Sequence, residues 1–65
     1  MDGFPDATAL ARFIRENFMG SFITIRVNSG LFITGEVVDG FDNIVAIKFG
    51  GVTFFINGDQ IDFFF

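Results

Sequence analysis

Residues 27–49, VNSGLFITGEVVDGFDNIVAIKF, decide the fold of this chain. Asn28-Ser29-Gly30 reads as a turn, and a long apolar run begins at Leu31. Gly35 interrupts that run, Val37 and Val38 resume it, and Asp39-Gly40-Phe41-Asp42-Asn43 breaks it again before the β-rich run Ile44–Phe49. The plain reading is two strands, 31–38 and 44–49, joined by an acidic loop that carries an asparagine. Gly35 in mid-strand allows the sharp bend or bulge that a small barrel needs at a corner. The functional question posed by the stretch is whether the 39–43 loop holds a ligand or only turns the chain.

Upstream, Phe22–Val27 alternates, with Ile23, Ile25 and Val27 on one face and Phe22, Thr24 and Arg26 on the other, a half-buried strand. Gly30 can take the positive φ that closes the hairpin. Downstream, Gly50-Gly51 is a tight turn, Val52–Asn57 a fourth strand, Gly58-Asp59 a turn and Ile61–Phe65 a fifth strand. Met1–Pro5 is a short arm and Asp6 a candidate N-cap. Leu10, Phe13, Ile14 and Phe18 fall on one helical face over 7–19, with Arg12, Arg15 and Glu16 on the solvated side. Gly20 ends the helix. One helix (6–19) followed by five meandering strands (22–65) predicts a single, mainly β domain, a strongly bent antiparallel barrel.

A 65-residue chain buries only about 60% of its unfolded surface, so it is marginal alone. Without Cys or His, it has no disulfide or Cys/His metal site to staple it. Twelve phenylalanines, in a chain that is 51% hydrophobic, are more than such a core can hide. The fifth strand is an apolar edge, which aggregates unless another strand covers it. These points predict a homo-oligomer. The net charge of −4 opposes a phosphate backbone, since a basic surface supplies most non-specific nucleic-acid affinity. MDGFPDATAL lacks the basic and apolar segments of a secretory leader, and no apolar run reaches membrane-spanning length. A cytoplasmic protein that does not enter a membrane is the expectation, with export independent of such a leader as the other route.

The order of these elements, with Gly30, Gly35 and the Phe41-Asp42 pair, resembles the first motif of the Sm and Sm-like family. Ile56-Asn57-Gly58-Asp59-Gln60-Ile61 resembles the second, and the likeness runs from Ala7 to Phe65. The resemblance implies a five-stranded, strongly bent SH3-like barrel capped by the N-terminal helix. It also implies rings of six or seven subunits in which the fourth strand of one pairs with the fifth of the next. Some family rings stack into tubes, and members typically bind single-stranded RNA around the pore.

The family pocket reads Asp-x-aromatic-x-Asn, completed by an Arg in the second motif. With Asp42 as the family Asp, Ile44 stands at the stacking position, Ala46 at the Asn and Asn57 at the Arg, so only Asp42 and Gly58 match. Ile offers a base no π-face, and Ala has no group to read its edge. The bacterial Sm-like RNA-chaperone branch uses a Tyr-Lys-His stretch in its second motif, and this chain has no Tyr or His. In a second register Asp39-Gly40-Phe41-Asp42-Asn43 itself supplies Asp, a stackable Phe41 and an edge-reading Asn43. Asp42 lies one residue further from Gly35 than the family spacing, and Asp39 two residues nearer. The candidate RNA pocket is therefore Phe41, Asp42, Asn43, Asn57 and Gly58, against the plainer reading of Asp42, Asn43, Asn57 and Gly58 as turn residues.

The candidate subunit interface is Val52, Phe54, Phe55 and Ile56 on the fourth strand and Ile61, Phe63, Phe64 and Phe65 on the fifth. In each of the pairs Phe54-Phe55 and Phe63-Phe64, one ring is expected in the core and the other toward a partner. Gly20, Gly30 and Gly35 are the structural glycines. Ser21 and Ser29 lack a partner base, and no phosphate-loop pattern occurs. The expectation is a non-enzymatic protein without metal or cofactor. Its expected role is self-assembly into rings or stacked tubes, with single-stranded RNA binding through a divergent pocket as the alternative.

Overall fold

The structure, a computed structural model, describes residues 7–65, so the arm and the Asp6 cap lie outside the described residues. Helix α1 spans Ala7–Phe18, followed by β1 Phe22–Val27, β2 Phe32–Phe41, β3 Ile44–Phe49, β4 Val52–Asn57, a short 3-10 turn Gly58–Gln60 and β5 Ile61–Phe64. The strands form one antiparallel sheet in the order β4-β3-β2-β1-β5. No helix among the described residues is long and apolar enough to cross a membrane.

The sheet is not closed into the expected barrel, because β4 and β5 are its two edges rather than partners. It is nonetheless strongly curled, for a geometric reason. The chain passes from Asn57 to Ile61, one edge to the other, through Gly58–Gln60 alone. Those four steps reach at most about 14 Å, whereas a flat five-stranded sheet is about 19 Å across. The connection can be made only if the sheet bends until its edges approach.

Two features supply the bend, and only one of them stands at the position that the sequence pattern singles out. β2 runs on through Asp39-Gly40-Phe41, so the anticipated loop shrinks to a two-residue turn, Asp42-Asn43, with Asp42 at φ +51°. The bulge lies at Val38, where the register against β3 slips between Val37 and Asp39. Gly35 stays in register opposite Ile23 and serves instead as a point of close approach. A Cβ there would lie 2.5 Å from the Lys48 carbonyl oxygen and 2.7 Å from the Ile47 Cγ2. β3 crosses β2 too tightly for any side chain.

The core is aliphatic. Ile14 of α1, Ile23, Ile25 and Val27 of β1, Val37, Val45, Ile47 and Ile56 form one buried cluster, with Leu10, Phe18, Ile33, Ile61 and Phe64 partly buried against it. β-Branched side chains suit the inside of a tightly curled sheet, where rings would not fit. The helix ends at Phe18, and Gly20 (φ +86°) turns the chain so that its N–H donates to the Val37 carbonyl at 2.7 Å. Gly30 (φ +98°) closes the β1–β2 turn. Phe13, expected on the buried helical face, is half exposed, while Ala11 is fully buried.

Arg15, expected on the solvated side of α1, ties the helix to the sheet. Its Nη1 donates to the carbonyls of Asp42 (2.7 Å) and Ile44 (3.0 Å). Its aliphatic stem lies on Gly40, where a Cβ would meet Arg15 Cδ. Charge-assisted bonds of this kind contribute about 1.5–3 kcal/mol each before solvent exposure is counted. Arg15 is only half-buried, so Arg15→Met is expected to cost about 1–2 kcal/mol. A urea denaturation midpoint unchanged from the parent would contradict that role.

Candidate functional site

The most distinctive surface is aromatic. None of the eleven phenylalanines among the described residues is fully buried. Nine are exposed: Phe13, Phe22, Phe32, Phe41, Phe49, Phe54, Phe55, Phe63 and Phe65. Monomeric proteins rarely leave contiguous apolar surface of this kind open.

On the outer face, Arg26 of β1 lies opposite both Phe32 of β2 and Phe63 of β5. Its guanidinium sits 5.9 Å from each ring centroid and 3.3 Å from the Asp62 carboxylate. Phe32 meets Phe63 edge-on at 6.3 Å, and Phe63 stacks with Phe65 at 6.2 Å. On the inner face, Phe64 packs edge-on against Phe18 at 5.3 Å, with Phe13 6.5 Å from Phe64. β5 thus carries Phe64 inward and Phe63 and Phe65 outward, as its alternation requires.

β4 departs from the expected division. Phe54 and Phe55 point to opposite faces, yet both are exposed, at 42% and 62%. Phe54 shares the core face with Ile56 but lies beyond the end of the core. There it helps line an open groove of about 320 Å³ with Phe32, Ile33, Thr34 and Phe49. Val52 is exposed, Ile56 is buried in the chain's own core and Ile61 is half-buried. Of the eight candidate interface residues, Val52, Phe54, Phe55, Phe63 and Phe65 are therefore open to another molecule, Phe64 is partly open, and Ile56 and Ile61 are mostly committed to this chain.

Of the five candidate pocket residues, Asn43, Asn57 and Gly58 are joined by hydrogen bonds, and Phe41 and Asp42 directly precede Asn43 in the chain. Asn43 Nδ2 donates to Asn57 Oδ1 at 3.0 Å, and the Gly58 N–H donates to the Asn43 carbonyl at 2.6 Å. Asn57 Oδ1 also accepts from the Asp59 N–H at 2.9 Å, capping the 3-10 turn. These contacts lock the β2–β3 turn to the β4–β5 connection, the structural role expected of Asn and Asp in turns. Beside them, Phe41 is 60% exposed and the carboxylates of Asp39, Asp42 and Asp59 are solvent-facing. A base could lie on Phe41, but its phosphate would meet these acids, with the Arg15 guanidinium already bonded to the Asp42 and Ile44 carbonyls. Asn57→Ala removes the cap and the cross-link together and is expected to cost about 1 kcal/mol in stability. An unchanged unfolding midpoint would show that this tie is idle.

Sequence reasoning missed Arg15, Phe32 and Phe49. Arg15 reaches carbonyls 27 and 29 residues away, and no local pattern signals so distant an acceptor. Phe32 and Phe49 sit at the ends of hairpins, where alternation assigns a face but not whether the core extends that far. No group of three or more metal-ligating side chains occurs among the described residues. Comparison with protein-family models, curated proteins and solved structures gives no match.

Proposed function

We propose that this chain is a self-assembling structural subunit of Sm-like design, forming closed homo-oligomeric rings that can stack into tubes. The observation that carries this reading is the pair of outermost strands, β4 and β5, neither covered by a further strand among the described residues, and each rich in exposed phenylalanine. An edge strand is a template for another strand, and two different edges on one chain make a head-to-tail contact. Such a contact closes into a ring or propagates as a filament. Each exposed Phe side chain taken out of water contributes about 1.5–3 kcal/mol, which is large beside the stability of so small a domain. Negative-stain images and sedimentation of the purified protein test the reading. Discrete rings or tubes are expected, and a monodisperse monomer at high concentration would refute it.

RNA binding is the second reading, favoured by the hydrogen-bonded meeting of Asn43, Asn57 and Gly58 next to an exposed Phe41 and Asp42. It predicts single-stranded RNA binding that weakens with salt and is lost in Phe41→Ala or Asn43→Ala. Given the acidic surroundings, the expected result is no measurable binding at moderate salt. Salt-sensitive binding abolished by either substitution would reverse the order of the two readings.

A further inference from the structure

The backbone of the two edges fixes how a second copy can join, and the result is not a simple continuation of the sheet. Phe65 and Thr24 exchange both backbone hydrogen bonds, at 2.7 and 2.9 Å. Antiparallel strands alternate the direction of their backbone groups, so the Phe64 N–H and C=O point away from β1, toward the free edge. Phe64 is the residue of β5 whose ring faces inward. On the other edge, Gly50 and Gly51 both have positive φ, +60° and +83°, as in a type I′ turn. The flanking Phe49 and Val52 then form a hydrogen-bonded pair, and so do Ile47–Phe54 and Val45–Ile56. The backbone groups of Thr53 and Phe55 are left pointing outward. Phe55 is the residue whose ring faces away from the core side.

Directly opposed residues of an antiparallel pair place their side chains on the same face. If Phe55 exchanges hydrogen bonds with Phe64 of a second copy, the outer face of one subunit must run into the inner face of the next. We infer that β5 of the second copy lies antiparallel on β4 with Phe55 opposite its Phe64, Phe54 opposite its Phe65 and Ile56 opposite its Phe63. This inference rests on the edge-pairing reading above and adds the register and the crossing of faces.

The consequences match the open surfaces. Phe55 comes down beside the Phe13–Phe18–Phe64 cluster, which a single chain leaves half covered. The Phe65 ring of the second copy comes down beside Phe54, into the groove of about 320 Å³. Asn57 falls opposite Asp62, an amide against a carboxylate. Sliding the register by two toward the glycine turn sets Phe55 against Asp62 instead, an apolar ring against a charge. Parallel pairing keeps the faces in line, placing Phe55 beside Phe63 and Phe65 of the second copy and leaving the groove uncovered.

The chain has no cysteine, so introduced thiols report on the register. Phe54 and Phe65 would be a non-hydrogen-bonded pair with Cα atoms about 4.5 Å apart, within disulfide range. Mixing Phe54→Cys with Phe65→Cys under mild oxidation is expected to give a covalent dimer on a non-reducing gel. Phe55→Cys mixed with Phe64→Cys, at about 5.5 Å, is a second reporter should the loss of Phe54 or Phe65 weaken the joint. Linkage in either mixture supports the register. Preferential linkage of Phe54→Cys with Phe63→Cys would indicate the slid register, and linkage of Phe55→Cys with Phe65→Cys the parallel joint; either overturns the inference. Absence of linkage in both reporter mixtures, while the parent sediments as an oligomer, overturns the register but leaves self-assembly standing. A parent that sediments as a monomer overturns both.

Discussion

Phe55→Pro is expected to yield a folded monomer, whereas Phe54→Pro, one residue away, is expected to damage the fold itself. Proline has no backbone N–H to donate, and it is tolerated in a sheet only where that N–H faces away from the ladder. The Phe55 N–H points out of the free β4 edge, so the substitution removes no hydrogen bond within the chain. It removes the hydrogen bond proposed between subunits, together with a ring that is 62% exposed. The lost ring alone weakens each joint by about 1.5–3 kcal/mol, roughly tenfold to a hundredfold in association. The Phe54 N–H bonds inward to Ile47, its partner in β3, and losing it opens the ladder of a marginal domain. Circular dichroism and sedimentation together separate the two outcomes. A Phe55→Pro protein that kept its oligomer would show that β4 is not the joint.

The second large effect concerns Gly35. Gly35→Val is expected to abolish the folded sheet, and Gly35→Ala to destabilise it by about 1–3 kcal/mol. The reason is steric rather than conformational: the first carbon of any side chain would press on the Lys48 carbonyl at 2.5 Å and the Ile47 side chain at 2.7 Å. The carbonyl is backbone, so relief requires β3 to move away from β2. The whole curl then relaxes, and the three-residue connection from β4 to β5 can no longer span the edges. A Gly35→Val chain with the parent's unfolding midpoint would show that β2 and β3 are not so closely held.

Much of the architecture was legible in residues 22–57. Alternation located β1, the paired glycines located the β3–β4 turn, and helical periodicity located α1 to within a residue at its C-terminal end. The 39–43 stretch misled because Asp, Gly and Asn are turn formers by propensity. Here Asp39-Gly40-Phe41 is held in a strand by pairing with Ile44, Val45 and Ala46, and only Asp42-Asn43 turns. That pairing costs an extra residue, accommodated as the Val38 bulge. Gly35 announced a special position in the sequence but not which kind, since bend, bulge and close approach all ask for the same residue.

The phenylalanine surplus was the more informative signal for the site. Composition alone showed that some rings must face outward. It could not show that all eleven described rings would be excluded from the fully buried core, which depends on how tightly the sheet curls. Nor could it separate Phe54 from Phe64, which both alternate to the core face. Phe64 meets the helix, while Phe54 overhangs the open end.

If β4 and β5 are the two halves of one joint between copies, the protein must associate with itself. Sedimentation velocity on the unmodified protein across a wide concentration range reads out that association. A discrete closed oligomer, or larger multiples of it, that persists on dilution is expected. A single species of monomer mass at every concentration would contradict it.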